Sequence, residues 1–449
     1  MKKVFRISLI GLLLLAASVS GIFASGQDEP AASSETGMSG TLKVQFIGSF
    51  KMDDTTDPIS GAKTVGVHYL KEEFEKLYPG IDVEFILMGW DSYTQKTQTM
   101  LQADEVDVVQ APGIALLADQ GLLEPLVSYI DKDNFDLNVY MDNQVEGWMA
   151  MGPDDTELSI YGLPFIADTR VIVYDKVLFD QWGVEYLSWQ PTPEELYEKG
   201  AAMTGINPVT GKQNYGLIFK GAKYTSLTAL GVAEYLGGTW GTGFRYDEMT
   251  VNFNSPEMVA GVEWMKSILP FCPPGTMSRQ GGEKQFTLEN DIAINLHVGP
   301  GFLKTVEAME LEDRIGVSSL WVHPTLGVGG IFQGSPAAIS ANTKVKDLAW
   351  EWLKFTASDT YMEYFWDQYY SVPPIKSAMD WDSMDNIPQI KPTIKTVATL
   401  WAPRYPYRAA TIGSIFEQGV EKAVLSTKES VKEVMDKVQA ESEAWLKEQ

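Results

Sequence analysis

An α/β fold organised around parallel sheets, in at least two domains, is what this chain predicts, and three observations carry that expectation. Apolar alternation and helical periodicity follow one another as strand, helix and strand soon after Thr41, a rhythm that joins parallel strands through a helical crossover. The chain has 449 residues, whereas a single hydrophobic core stops growing near ~250–300. Of these residues, 45% are hydrophobic and 11% aromatic, enough apolar side chain to fill more than one core.

The elements follow in order. In TLKVQFIG, Thr41–Gly48, apolar residues group around Val44, Phe46 and Ile47 before Gly48-Ser49, which reads as a strand entering a loop. In VHYLKEEFEKLYPG, Leu70, Phe74 and Leu77 recur at i, i+4, i+7 and Pro79-Gly80 stops the run, a helix signature. Ile81–Leu87 alternates as a second strand, Asp107–Val109 reads as a short buried strand, and Ile114–Gln120 as a helix stopped by Gly121. Ile160–Pro164 and Arg170–Tyr174 read as an extended pair, and Tyr215–Phe219 and Asp291–Leu296 as further strands. Pro256–Ile268 is a helix with Val259, Val262 and Met265 or Lys266 on successive turns; Asn254-Ser255 caps it and Pro256 fits its first turn. Val431, Val434, Met435 and Val438 mark an amphipathic helix near the C terminus, too few heptads for a coiled coil.

Ahead of these elements stands MKKVFRISLIGLLLLAASVSGIFASG. Lys2, Lys3 and Arg6 precede an apolar run, Ile7–Val19, and Ile22-Phe23-Ala24 offers a small-residue cleavage point before Ser25. The run is shorter than the ~20 residues a spanning helix needs. Residues 1–24 are therefore expected to be an export signal, and 25–40, rich in Ser, Ala and Gly, a flexible linker. Loss of the signal takes the formal charge from −25 to −28, a field that repels nucleic acid and anionic lipid. Cys272 is the single cysteine, so no intrachain disulfide forms and none stands at the cleavage point to carry a lipid. An exported protein in the periplasm or another extracytoplasmic space, monomeric and without lipid anchor, is the expectation.

Motifs for catalysis are missing. The three histidines, His68, His297 and His323, form no metal-site motif, and there is no GxSxG, no P-loop and no GxGxxG after a strand. No cofactor and no metal are expected. Aromatic residues, in contrast, crowd the loops: Phe50, Trp90, Tyr93, Phe165, Trp240, Phe302, Trp321, Phe332, Trp401, Tyr405 and Tyr407 stand beside glycine, proline or polar residues. Aromatic faces pack on the C–H faces of sugar rings while polar neighbours bind hydroxyls, so this distribution suits a carbohydrate site, although any single aromatic is more often core.

Several colinear segments resemble family 1 extracellular solute-binding proteins, the maltose-binding-like receptors of ABC sugar importers. They are FEKLYPGIDVEFILMGWDSYTQKTQTML (Phe74–Leu101), DVVQAPGIALLADQGLLEPL (Asp107–Leu126), YGLPFIADTRVIVYDKVLFDQWGVE (Tyr161–Glu185, with Asp175 where the family usually has Asn) and AWEWLKFTAS (Ala349–Ser358). The resemblance implies a two-lobed α/β fold of the type II periplasmic-binding class, its lobes joined by crossing hinge strands and the ligand held between them. It divides the chain into lobe 1, residues 41–164 with 326–372, and lobe 2, residues 165–325 with 373–449. Crossings are expected within Tyr161–Tyr174, Arg314–Leu326 and Tyr370–Pro374.

Carried over residue by residue, the resemblance implicates Gly48-Ser49-Phe50, Gln110-Ala111-Pro112-Gly113, Phe165, Asp168, Phe219-Lys220, Gly299-Pro300-Gly301-Phe302, Gly330, Phe332 and Trp401–Arg408, including Tyr405; Trp90 and Trp240, from the loop aromatics, join them as candidate ligand contacts. It implies a non-catalytic receptor that binds a sugar or oligosaccharide, closes by hinge motion and delivers its ligand to membrane permease subunits. Two alternatives stand beside it. Arg170, Lys220, Arg404 and Arg408 suit an anionic ligand such as a phosphorylated polyol, and a secreted carbohydrate-active enzyme shares the aromatic loops.

Overall fold

Two five-stranded sheets organise the chain. In this computed structural model the described residues are 37–58, 61–142, 144–166, 170–219, 221–242, 249–325, 334–385 and 411–448, and a compact unit runs from Met38 to Gln449. The expected signal and most of the linker lie outside the described residues.

The first sheet has the spatial order Ile81–Met88, Gly40–Ile47, Val108–Gln110, Ser335–Ile339, Leu163–Ile166. Its first three strands are parallel, and Ser335–Ile339 runs antiparallel to both neighbours. Position in the sheet explains the hydrophobic patterns. Gly40–Ile47 is interior and buries nearly its whole second half, whereas the edge strand Ile81–Met88 begins with one buried and one exposed face. The helix His68–Leu77 buries Leu70 and Phe74 on this sheet. Leu77, expected on the same stripe, is exposed, because the helix ends there and the chain turns through Tyr78.

The second sheet has the order Gly205–Ile206, Gln213–Ile218, Ile292–Val298, Val171–Asp175, Ile315–Ser318. Gln213–Ile218 and Ile292–Val298 are parallel, and Val171–Asp175 runs antiparallel to both of its neighbours. Helices Gly221–Tyr235, Pro256–Ile268, Thr411–Leu425 and Val431–Leu446 supply its core, with Val431, Val434, Met435 and Val438 buried as their spacing predicts. Ser255 caps Pro256–Ile268 by accepting the Met258 amide at 3.2 Å, while Asn254 turns instead to Asp436. Val171–Asp175 divides its side chains by period two: Val171 and Val173 join the first core, Ile172 and Tyr174 the second.

Asp175 closes that strand. One carboxylate oxygen accepts the Val177 and Leu178 amides and caps the helix Lys176–Trp182; the other takes Arg314 Nε at 2.7 Å, Arg314 Nη2 at 2.7 Å and Asn290 Nδ2 at 2.7 Å. A neutral asparagine would cap the helix, but only the carboxylate also holds a buried guanidinium.

The described packing moves two expected boundaries. Phe165 and Ile166 belong to the first sheet, so the first crossing begins after Ile166 rather than after Pro164. Val372, Ile375, Ala378 and Met384 pack in the first core, and Met141 donates its amide to the Pro374 carbonyl at 2.8 Å, so the chain does not leave the first lobe at Tyr370–Pro374. Ile412 is in the second core, and residues 386–410, between the two in sequence, lie outside the described residues.

Candidate functional site

Strand direction locates the site. In the first sheet the parallel strands end at Ile47, Met88 and Gln110, and pairing of Ser335 with Ile166 puts the exit of one crossing and the entry of the other at that same edge. In the second sheet the parallel strands end at Ile218 and Val298; Val298 pairs with Val171, and Ser318 with Ile172. Both crossings therefore join the C-terminal edges of the two sheets, where open α/β sheets place ligands. Only three residues lie between Ile166 and Arg170, so their Cα atoms are at most ~14 Å apart and the two edges come close at this crossing.

The first-lobe edge is locked before any ligand arrives. Gln110 Oε1 accepts the Ile47 amide at 2.7 Å and Gln110 Nε2 donates to Ser335 Oγ at 3.1 Å, tying three strand ends together. The Ala111 amide is bonded to the Pro336 carbonyl, Ala111 and Gly113 are buried, and Pro112 is partly open. Ser49 is exposed. Phe50 stands edge-on to Phe46, Phe365 and Tyr369 at ring-centroid distances of 5.6, 5.7 and 5.2 Å, leaving part of its surface open. Trp90, 47% exposed, meets the Tyr93 ring edge-on at 5.3 Å. It is the large apolar surface this edge presents.

Two expected platforms are core residues. Phe165 is 1% exposed and packs on Phe46, Tyr361 and Phe365, because strand alternation turns it into the first core. Trp240 is 1% exposed in the second core. It follows the helix Gly221–Tyr235, whose 15 residues carry the chain about 20 Å from the sheet edge. Phe302 is also buried, stacked on Phe286 at 5.1 Å, whereas Gly301 is exposed ahead of the helix Phe302–Ala308. That helix also ties the lobes together: Lys304 Nζ donates to the Gln368 carbonyl at 2.9 Å and Thr64 Oγ1 at 3.1 Å, and Tyr370 OH donates to Glu307 Oε2 at 2.7 Å. Burial lowers the Lys304 pKa from its ordinary value. Asp168, Lys220, Gly330, Phe332, Trp401, Tyr405 and Arg408 lie outside the described residues.

The second-lobe edge carries a cluster that motif reading passed over. Arg170 Cζ and the His297 ring each lie 6.0 Å from the centre of the Tyr224 ring, the imidazole tilted by 36° to it. Burial, reinforced by the Arg170 cation, drives the His297 pKa down to about 3, so the ring is neutral at physiological pH. Its usable signal in the sequence is position alone, a polar residue two places before Gly299-Pro300-Gly301 at the end of a strand. Arg279, exposed, lies against Gly221 at the start of the helix Gly221–Tyr235. Among the described residues no group of three or more His, Cys, Asp or Glu is placed to hold a metal, and no helix is long and apolar enough to cross a membrane.

A family profile described as bacterial extracellular solute-binding protein matches residues 62–363. The chain belongs to this family. Among relatives, the mannitol-binding protein of Pseudomonas aeruginosa is 23% identical over 323 residues, 68% of this chain and 69% of that protein. Two solved structures share the fold: the sugar-binding protein MalE of Xanthomonas citri, 18% identical, with a TM-score of 0.71 over 91% of this chain and 98% of that one, and a solute-binding protein of Agrobacterium radiobacter K84 in complex with ribitol, 18% identical, with a TM-score of 0.69 over 90% and 98%. This solute-binding protein thus has the two-lobed α/β architecture expected from its sequence, and its family and fold are those of solute receptors.

Proposed function

We propose that this chain is the receptor of an ABC importer, binding a neutral sugar or polyol between its lobes, closing by hinge motion, and presenting the closed form to permease subunits. The observation that carries the reading is the meeting of both sheets' C-terminal edges at the crossings, with loops from each lobe facing one gap. The mannitol-binding relative, the neighbour that is a sugar-binding protein and the neighbour in complex with ribitol supply the ligand class by similarity. In this reading the protein is exported, works as a monomer outside the cytoplasm and performs no turnover. Lobe 1 comprises residues 41–166 with 334–385, and lobe 2 residues 170–325 with 411–449. In this reading Ser49, Phe50, Trp90, Pro112 and Gly301 contact the ligand, and Asp168, Lys220, Gly330, Phe332, Trp401, Tyr405 and Arg408 are further candidate contacts.

A second reading, an anionic polyol, draws on Arg170 at the second-lobe edge and Arg279 beside Gly221, where a helix begins. A thermal-shift screen of ribitol, mannitol, maltose and glycerol 3-phosphate separates the two. Specific binding raises stability by RT ln(1 + [L]/Kd), about 2.7 kcal/mol at a hundredfold excess over Kd. The proposed reading predicts a shift with a neutral compound that is recovered chemically intact. A shift with glycerol 3-phosphate alone transfers the assignment to the anion, and cleavage of the saccharide replaces the receptor by an enzyme.

A further inference from the structure

His297 is a part-buried residue whose two ring nitrogens are buried with nothing to bond. Neither ring nitrogen has a hydrogen-bond partner, and both are closed off from water. Such groups are rare in folded proteins and carry a desolvation penalty that nothing in the ligand-free structure offsets. The backbone around His297 is irregular as well. Pairing of Ile292–Val298 with Val171–Asp175 shifts register between Asn295 and Val298, which inserts one extra residue and bends the strand as it reaches the sheet edge. Bulges of this kind re-aim a side chain and recur beside binding sites. At this end of the strand the imidazole lies 6.0 Å from the ring of Tyr224, on the first turn of Gly221–Tyr235, and the Arg170 guanidinium lies 6.0 Å from that same ring.

We propose that His297 is a specificity-determining residue of the ligand site, engaging a pair of neighbouring hydroxyls on a polyhydroxylated ligand. This inference rests on the receptor reading above and deepens it. A neutral imidazole has one N–H and one bare nitrogen, so one hydroxyl accepts from the first while its neighbour donates to the second. A vicinal diol supplies both groups at once. The Tyr224 face offers apolar surface for the carbons bearing those hydroxyls, and the Arg170 guanidinium is a further donor. Both nitrogens are covered in this arrangement, so binding requires the groups that cover them to move aside.

The test compares the wild-type chain with His297→Leu and His297→Gln, titrating each with mannitol, ribitol and maltose and melting each without ligand. Leucine removes both unbonded nitrogens in similar volume, so the ligand-free melting temperature is expected to stay level or rise, while affinity for the compound the wild type binds falls at least tenfold. Glutamine keeps one donor and one acceptor and is expected to fall between. Should the leucine variant fail to fold, the glutamine variant and the wild-type imidazole ¹⁵N resonances decide: ligand must perturb those of His297, one of only three histidines. Unchanged affinity in a folded variant, or unperturbed His297 nitrogens at saturation, overturns the assignment. If the wild type binds none of the three compounds, the receptor reading fails first, and this inference falls with it.

Discussion

His297 shows the limit of reading single residues from sequence. A lone histidine without ligand spacing gives no motif, and only the bulge, the unbonded nitrogens and the neighbouring Arg170 distinguish it. Phe165 and Trp240 err the other way: proximity to glycine or proline marked them as platforms, whereas strand phase and helix length put them in the cores. Phe50 and Trp90 stand two or three residues beyond a strand end and keep part of their surface open. The state of His297 also fixes a pH dependence. In the unfolded chain a histidine titrates near 6.5, but in the native chain burial and Arg170 hold it at about 3. Between these values the unfolded state binds a proton that the native state refuses, so stability falls as pH drops below 6.5, by up to about 1.4 kcal/mol per pH unit. Above 6.5 both states are neutral and the contribution is flat. Urea unfolding of wild type and His297→Leu between pH 4 and 8 is expected to show a shallower acid slope in the variant and parallel curves above pH 7. Identical acid slopes would contradict the buried neutral imidazole.

Elements were more legible than residues, because periodicity integrates over many side chains. Pro256–Ile268 and the apolar seam of Val431–Leu446 follow directly from spacing and caps. The seam's start is fixed by a reciprocal Ser430–Glu433 capping box. Asp359–Tyr369 was invisible: its stripe is written in Tyr361, Phe365 and other aromatics that also read as strand or loop. Close packing between elements leaves a different trace. Gly216, in the strand Gln213–Ile218, faces Gly200, in the helix Pro193–Ala202, so closely that a Cβ on Gly216 would sit 1.8 Å from the Gly200 carbonyl oxygen. Helix and strand cannot separate cheaply, because Leu196 and Leu217 are fully buried beside them. Gly216→Ala is therefore expected to cost about 1–3 kcal/mol or more, the range of overpacked cores, read as a lower urea midpoint at unchanged m-value. A variant as stable as wild type would show that the two elements are not held in this contact.

At the scale of the molecule, the α/β class and two-core organisation were legible, since strand–helix alternation and length are global properties. The places where the chain changes lobe were less so. Proline in Pro373-Pro374 resembles a stiff hinge, yet Val372 and Ile375 beside it are buried in the first core. Across the lobes, the helix Phe302–Ala308 is pinned by Lys304 to Gln368 and by Glu307 to Tyr370. The same helix also buries Phe302, Leu303 and Val306 in the first core, so parting of the lobes is governed by a ligand that binds differently to open and closed forms and shifts their balance. The central claim is that the lobes close around a small solute. Small-angle X-ray scattering of the chain with and without a saturating compound from the thermal-shift screen tests it most directly. The account predicts a smaller radius of gyration with ligand, and an unchanged radius at demonstrated saturation would contradict it.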